Sequence, residues 1–242
     1  MISKNEIKLI TGLHQKKYRS KHGMFIAEGI KVIRELLEAG VPLKALYTTS
    51  TTQFDLATGL VREISEQELK KISQLKTPNT ALALFEIPQS ESVVPSGLIV
   101  ALDDIRDPGN LGTIIRLCDW FGIEHLVCSR GTVDCYNSKV IQATMGSLAR
   151  VNVAYTEIED LIRTTDLPVF VADMDGENVY GATLPDKGIL VMGNEANGLS
   201  ENIRKLADRT LSIPRFGKLQ KTESLNVATA TAILLSEFKR GA

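Results

Sequence analysis

The stretch DDIRDPGNLGTIIRLCDWFG, Asp103–Gly122, follows the apolar run LIVAL and sets Arg116 six residues beyond Asn110. Asn110 carries an amide that can both donate and accept. Arg116 carries a guanidinium that stays charged at neutral pH and can grip a phosphate through two parallel hydrogen bonds. The helical pattern around Arg116 gives it a buried look, and an ion pair with Asp103, Asp104 or Asp107 is the competing structural use. Two later stretches resemble the first in composition: GNEANGLS (Gly193–Ser200) and IPRFGKLQKTESLN (Ile213–Asn226). They add the amides of Asn194 and Asn226, and glycines that let a ligand come close to bare main chain. A single turn of this kind only reverses the chain. Three of them, each leaving an apolar run, point to one shared site.

Several common chemistries are excluded by spacing. A dinucleotide fold needs GxGxxG directly after its first strand, and here Gly109 and Gly112 follow a long acidic turn. No GxxxxGK[ST] cradle for a transferred phosphate occurs, and Ser147 and Ser224 lack the GxSxG elbow of serine hydrolases. Cys118, Cys128 and Cys135 form no CxxC pair, and His14, His22 and His125 do not join them at zinc-ligand spacing. Free thiols and no metal site are expected.

These turns need elements to hold them. The 242 residues suffice for one large domain or two modest ones, and 43% hydrophobic with 24% charged residues suits a globular core. No apolar run approaches the roughly 20 residues of a membrane span, and the first residues lack a signal-peptide block, so a cytoplasmic protein with no membrane partner is expected. The composition shifts once, at EIPQSESVVPSG (Glu86–Gly97). This places a first domain at residues 1–90, a linker at 91–97 and a second domain at 98–242. The first alternates helices (around Lys4–Leu13, Ile30–Gly40 and from Ser65, whose spacing to Glu68 fits a capping box) with short strands. The second carries strand-like runs at Leu98–Leu102, His125–Cys128, Val151–Ala154, Val169–Ala172, Ile189–Met192 and Thr210–Ile213. Runs apolar at successive positions are what a parallel sheet covered on both faces requires. A final helix is expected over Ser224–Arg240. Ligands of such sheets sit at the carboxyl ends of the strands, where all three turns lie.

Net charge is −1, yet Lys4, Lys8, Lys16, Lys17, Arg19 and Lys21 face only Glu6 in the first stretch. Arg215, Lys218 and Lys221 form a second basic group. Local patches on a neutral chain suit phosphate contacts, with solvated helix and loop faces as the plainer use.

Together the three turns resemble the motifs of the SpoU (TrmH-like) class of the SPOUT superfamily, S-adenosylmethionine-dependent RNA ribose 2′-O-methyltransferases. Asn110, Gly112 and Arg116 match the first motif, with the glycine displaced by one. Gly193, Asn194, Glu195 and Gly198 match the second. Ile213, Pro214, Ser224, Leu225, Asn226 and Val227 match the third, across a longer and more charged loop than usual. The likeness covers Leu98 to the end. GMFIAEGIKVIRELLEAG also resembles the small ribosomal-protein-like α/β domain that binds substrate in this family.

The resemblance implies an α/β chain with a trefoil-knot methyltransferase domain built on a parallel sheet, and a homodimer whose sites are completed by the neighbouring subunit. It implies catalytic roles for Arg116, Asn110, Glu195, Ser224 and Asn226, with Glu195 orienting Arg116 or the loop and Ser224 doubling as the cap of the last helix. It implies that Met192, Gly193, Ile213, Pro214 and Leu225 hold S-adenosylmethionine, largely through main-chain atoms, so that a side chain at 193 would obstruct the cofactor. RNA, expected to be ribosomal, would meet Lys17, Arg19, Lys21, Arg215 and Lys218. Transfer RNA as substrate, a non-catalytic RNA-binding module and a metabolite-binding α/β enzyme are the rival readings.

Overall fold

A computed structural model describes residues 1–56, 59–78, 80–89, 91–219 and 224–241. The chain begins α1 (Lys4–Gly12), α2 (Lys16–His22), β1 (Met24–Glu28), α3 (Ile30–Glu38), β2 (Leu43–Thr48), β3 (Val61–Glu63), α4 (Glu66–Ile72), β4 (Ala81–Glu86). It continues β5 (Leu98–Leu102), α5 (Pro108–Trp120), β6 (His125–Cys128), α6 (Ser138–Thr144), β7 (Asn152–Tyr155), α7 (Ile158–Arg163), β8 (Val169–Asn178). It ends β9 (Gly188–Met192), α8 (Glu201–Leu206), β10 (Arg209–Ser212), α9 (Val227–Lys239). Two compact units result, Met1–Gln89 with Asp134–Arg150, and Ser90–Val133 with Val151–Ala242.

The first unit holds a four-stranded sheet in the order β1-β4-β2-β3, antiparallel except for β2 with β3. Ile10, Leu13, Ile26, Leu69, Ile72, Leu82 and Leu84 pack together in one of its core clusters. Ser3 with Glu6 and Ser65 with Glu68 form capping boxes that start α1 and α4. The carboxylate of Glu68 accepts from the main-chain N–H groups of Ser65 and Ile2, which holds its pKa down to about 2.

Two expectations are corrected here. The segment Asp134–Arg150, placed by sequence in the second domain, belongs to the first unit: α6 packs on β1, and Tyr136 sets its ring 4.9 Å from that of Phe25. Arg19, expected at RNA, is buried inside helix α2. Its Nε donates to Asp134 Oδ2 at 2.9 Å, one terminal nitrogen donates to the carbonyls of Leu13 and His14 at 2.9 Å each, and the other pairs with Asp134. A guanidinium so fully used holds the unit together and has no face left for a phosphate. Arg19→Ala strands the largely buried carboxylate of Asp134, and urea unfolding should show a loss of about 3–5 kcal/mol. Lysine should restore little of it, since a point charge cannot fork to three acceptors.

The second unit is a six-stranded parallel sheet in the order β10-β8-β9-β5-β6-β7. The fully buried runs of β5, β6 and β9 explain the unbroken apolar sequence. From β5 the chain proceeds outward through β6 to β7, then returns on the other side of β5 through β8 and β9. The strand order thus reverses between β5 and β9, the place where a crevice opens at the carboxyl ends. The register of β10 on β8 jumps from Thr210 opposite Val171 to Leu211 opposite Glu177, so Ala172–Gly176 bulge out of the ladder. Gly176 lies so close to β10 that an added Cβ would stand 2.7 Å from main-chain atoms of Thr210 and Leu211.

All three cysteines are buried, and burial pushes the Cys118 thiol well above its ordinary range, which leaves it inert. Among the described residues no group of three or more His, Cys, Asp or Glu could hold a metal ion, and no helix is long and apolar enough to cross a membrane.

Candidate active site

The turn after β5 runs Asp103–Asp107 into α5. Asp107 caps the helix, accepting from the Asn110 N–H at 2.8 Å, and Pro108 occupies the first turn, where its missing N–H costs nothing. Asp104 sits in the left-handed region at φ 60°, a conformation few non-glycine residues adopt. Ser129 Oγ fixes its N–H at 2.8 Å and Asn194 Nδ2 fixes its carbonyl at 2.7 Å. The strain is thus held from two neighbouring strand exits.

The turn after β9 closes on itself. Asn194 and Gly198 exchange main-chain hydrogen bonds of 3.0 and 2.8 Å, while Asn194 Oδ1 accepts from Ala196 and Asn197. Gly198 turns the chain at φ +67°. Asp103 Oδ2 accepts from the Ser200 N–H at 2.9 Å and ties this turn to the first.

The third turn enters α9. Its cap is Asn226, whose Oδ1 accepts from the N–H groups of Ala228 and Thr229 at 3.0 and 3.2 Å. Ser224, expected in that role, lies outside the helix. Both residue types cap helices well, and the choice falls to Asn226 because the helix starts at Val227.

One chain of side-chain amides joins the three turns. Asn226 Nδ2 donates to Asn110 Oδ1 at 2.8 Å, and Asn110 Nδ2 donates to Glu195 Oε1. Its direction is fixed from both ends: the N-terminus of α9 supplies only donors, and a carboxylate supplies only acceptors. A flip would cost Asn110 two partners and Asn226 three.

Beside this chain opens a cavity of about 1320 Å³. Met192, Leu211 and Leu234, all buried, with Ile213 form its apolar wall. Every residue expected to hold the cofactor lines it: Met192, Gly193, Ile213, Pro214 and Leu225. Glu195, Ser224, Arg215 and Lys218 line it as well. Lys221 lies outside the described residues. An added Cβ at Gly193 would stand 2.6 Å from the main chain of Gly198 and 2.7 Å from that of Leu199. The obstruction expected against the cofactor therefore falls first on the turn's own backbone.

Arg116 is not in this assembly. It is exposed on the face of α5 that carries Gly109, Thr113 and Trp120, two turns from Asn110, and among the described residues no hydrogen bond or ion pair engages it. Asp103 and Asp107 are taken by the turns, and Asp104 pairs with Arg106. Within one chain Glu195 holds Asn110 and does not meet Arg116. The side chains that sequence reasoning missed are Asp173 and Arg204, an ion pair in the cavity wall, and Phe216 at its rim. Asp173 follows a short apolar run, which was a usable signal; nothing local marked Arg204. In the first unit Lys17 and Lys21 are exposed.

Comparison with known proteins places this geometry. Residues 97–236 match the SpoU rRNA Methylase family, and residues 4–83 match the MRM3-like substrate binding domain. The 23S rRNA guanosine 2′-O-methyltransferase RlmP of Bacillus subtilis is 30% identical, over 94% of this chain and 93% of its own. A TrmH-family protein from Porphyromonas gingivalis superposes with a TM-score of 0.90 at 37% identity, covering 100% of both chains. The AdoMet-bound rRNA methyltransferase of Sinorhizobium meliloti does so at 0.88 and 31%, over 100% of this chain and 96% of that one. With the family's motifs converged at one crevice and its model spanning more than half of the sequence, the chain belongs to the SpoU rRNA methylase family.

Proposed function

We infer that this chain transfers a methyl group from S-adenosylmethionine to a ribose 2′-hydroxyl of ribosomal RNA. The observation that carries the inference is the hydrogen-bonded chain Asn226–Asn110–Glu195 at the edge of the cavity. The names of the relatives, RlmP among them, supply the ribosomal substrate.

The residues present fit the cofactor. The cavity has room for a large ligand, part of its wall is apolar, and the glycine at 193 leaves main chain bare at the turn. Main-chain groups of Gly193, Ile213 and Leu225 would hold it, with Met192 and Pro214 as the apolar floor. When bound, it supplies an electrophilic sulfonium methyl whose leaving sulfide is neutral, so no acid is needed on that side. The protein is left to orient the hydroxyl and share its proton. Ser224, Asn110 and Glu195 supply hydroxyl, amide and carboxylate for that task. Lys17, Lys21, Arg215 and Lys218 would meet RNA phosphates, which position the substrate without reading its sequence. The same hydroxyl distinguishes RNA from DNA. The bacterial relatives that act on ribosomal RNA, RlmP among them, support a cytoplasmic location.

Arg116 and Trp120, the latter 85% exposed, share a face of α5 that does not line this chain's own cavity. We assign that face to a homodimer in which Arg116 reaches the partner's site. A guanidinium offers only donors in a planar fork, and it serves there as an anchor for the phosphate beside the target ribose. The tight passage of β10 against Gly176 supports the trefoil knot of the family.

Tritiated-methyl transfer to ribosomal RNA from a strain lacking this chain tests the reading. Arg116→Ala should lower the rate about 100-fold, the scale of a lost positioning contact, with S-adenosylhomocysteine affinity unchanged. Mixing it with an Asn110→Ala chain should restore roughly a quarter of wild-type activity, because half the dimers then carry one intact site. RNA binding without incorporation by the wild-type chain favours a non-catalytic module, and incorporation into transfer RNA alone moves the substrate.

A further inference from the structure

Phe216 is 82% exposed at the rim of the cofactor cavity. An aromatic ring left in water forgoes a large part of its burial energy, so its position calls for an occupant. Its ring stacks on that of Tyr180, with centroids 6.3 Å apart and planes 28° from parallel. Tyr180 is itself 39% exposed and does not line the cavity, so the pair extends from the rim outward. Arg215 precedes Phe216 and Lys218 follows it after one glycine, both exposed.

The surroundings choose between occupants. The core of a protein interface is depleted of charge, and of lysine in particular, whereas here cations flank the ring on both sides. A cofactor held by Met192 and Ile213 would lie in the cavity, which Tyr180 does not line. Aromatic rings bordered by cations suit single-stranded RNA, whose bases stack on the rings while its phosphates meet the charges.

We propose that Phe216, backed by Tyr180, is a stacking platform for an unpaired RNA base flanking the ribose to be methylated. The proposal rests on the function inferred above and narrows its substrate. A base can reach the platform only when it is out of its helical stack, so the enzyme selects nucleotides in loops or single strands. Every base has a π-face, so the platform selects conformation and leaves base identity unread.

Binding of a short single-stranded oligoadenylate is compared with binding of an abasic ribose-phosphate chain of equal length. The wild-type chain should prefer the oligoadenylate by at least about 5-fold. Phe216→Ala should erase that preference while leaving abasic binding, S-adenosylhomocysteine affinity and sedimentation unchanged, and Phe216→Tyr should keep it. A preference that survives in Phe216→Ala overturns the platform. So does a drop in cofactor affinity or a dissociated oligomer, which would make Phe216 a cofactor or protein contact. A wild-type chain that methylates ribosomal RNA yet binds the oligoadenylate and the abasic chain equally overturns the platform alone. One that binds neither oligomer and methylates no RNA overturns the function beneath it.

Discussion

Asn110→Ala is expected to lower methyl transfer by up to about 1000-fold, the upper range for loss of a preorganised polar group, while the fold survives. Asn110 is the middle member of the amide chain, bonded to Asn226 on one side and Glu195 on the other. Its removal frees Glu195 and unties the β9 turn from the start of α9. Asn226 keeps its two main-chain partners, so α9 stays capped and the stability cost stays near 1 kcal/mol. Single-turnover rates and thermal unfolding separate the two effects. Asn110→Asp is the sharper variant. An aspartate at 110 still accepts from Asn226 but faces the Glu195 carboxylate with no proton to give. Like charges so placed should push their shared pKa upward, and structural order should return as pH falls and one carboxyl takes up a proton. Adding Glu195→Gln to Asn110→Asp restores a donor opposite an acceptor. The pair should then recover cofactor affinity and melting temperature beyond the sum of the single changes. Additive losses would show that the chain does not act as a unit.

Gly193→Ala should cost more than its single methyl suggests. The new Cβ would stand 2.6 and 2.7 Å from main-chain atoms of Gly198 and Leu199, which cannot swing aside as a side-chain tip can. The turn must open, and with it go the exchanged hydrogen bonds of Asn194 and Gly198. Asn194 also holds Asp104 in its left-handed conformation, so the disturbance passes to the β5 exit. A fall in S-adenosylhomocysteine affinity of at least about 100-fold is expected by calorimetry, along with about 1–3 kcal/mol of stability. Gly181→Ala, where an added Cβ meets nothing within 4 Å, is the matched control and should change neither.

Much of this arrangement was legible in the residues. Successive apolar positions in LIVAL and ILVM announced strands covered on both faces, and β5 and β9 are buried throughout. Glycine- and asparagine-rich turns at strand ends announced the crevice. What escaped depended on partners far away in sequence. Arg19 looked like one cation among many because Asp134, its counter-ion, stands 115 positions later. The same long contact explains why Asp134–Arg150 groups with the first unit. Arg116 looked buried because its neighbours Ile114, Ile115 and Cys118 are. Read at helical spacing, Gly109, Thr113, Arg116 and Trp120 trace one outward stripe, and only the apolar character of tryptophan disguised it. The bulge of Ala172–Gly176 had no signal short of the glycine that β10 requires at its crossing.

The order in which the cavity's walls appear in the chain has a consequence for biosynthesis. Leu211, Ile213, Val227 and Leu234 complete a pocket whose other wall comes from β8 and β9. A nascent polypeptide still short of those residues already owns five strands of the parallel sheet, yet has nowhere to lodge a methyl donor. Competence therefore arrives as one late event in translation, after the scaffold that it completes.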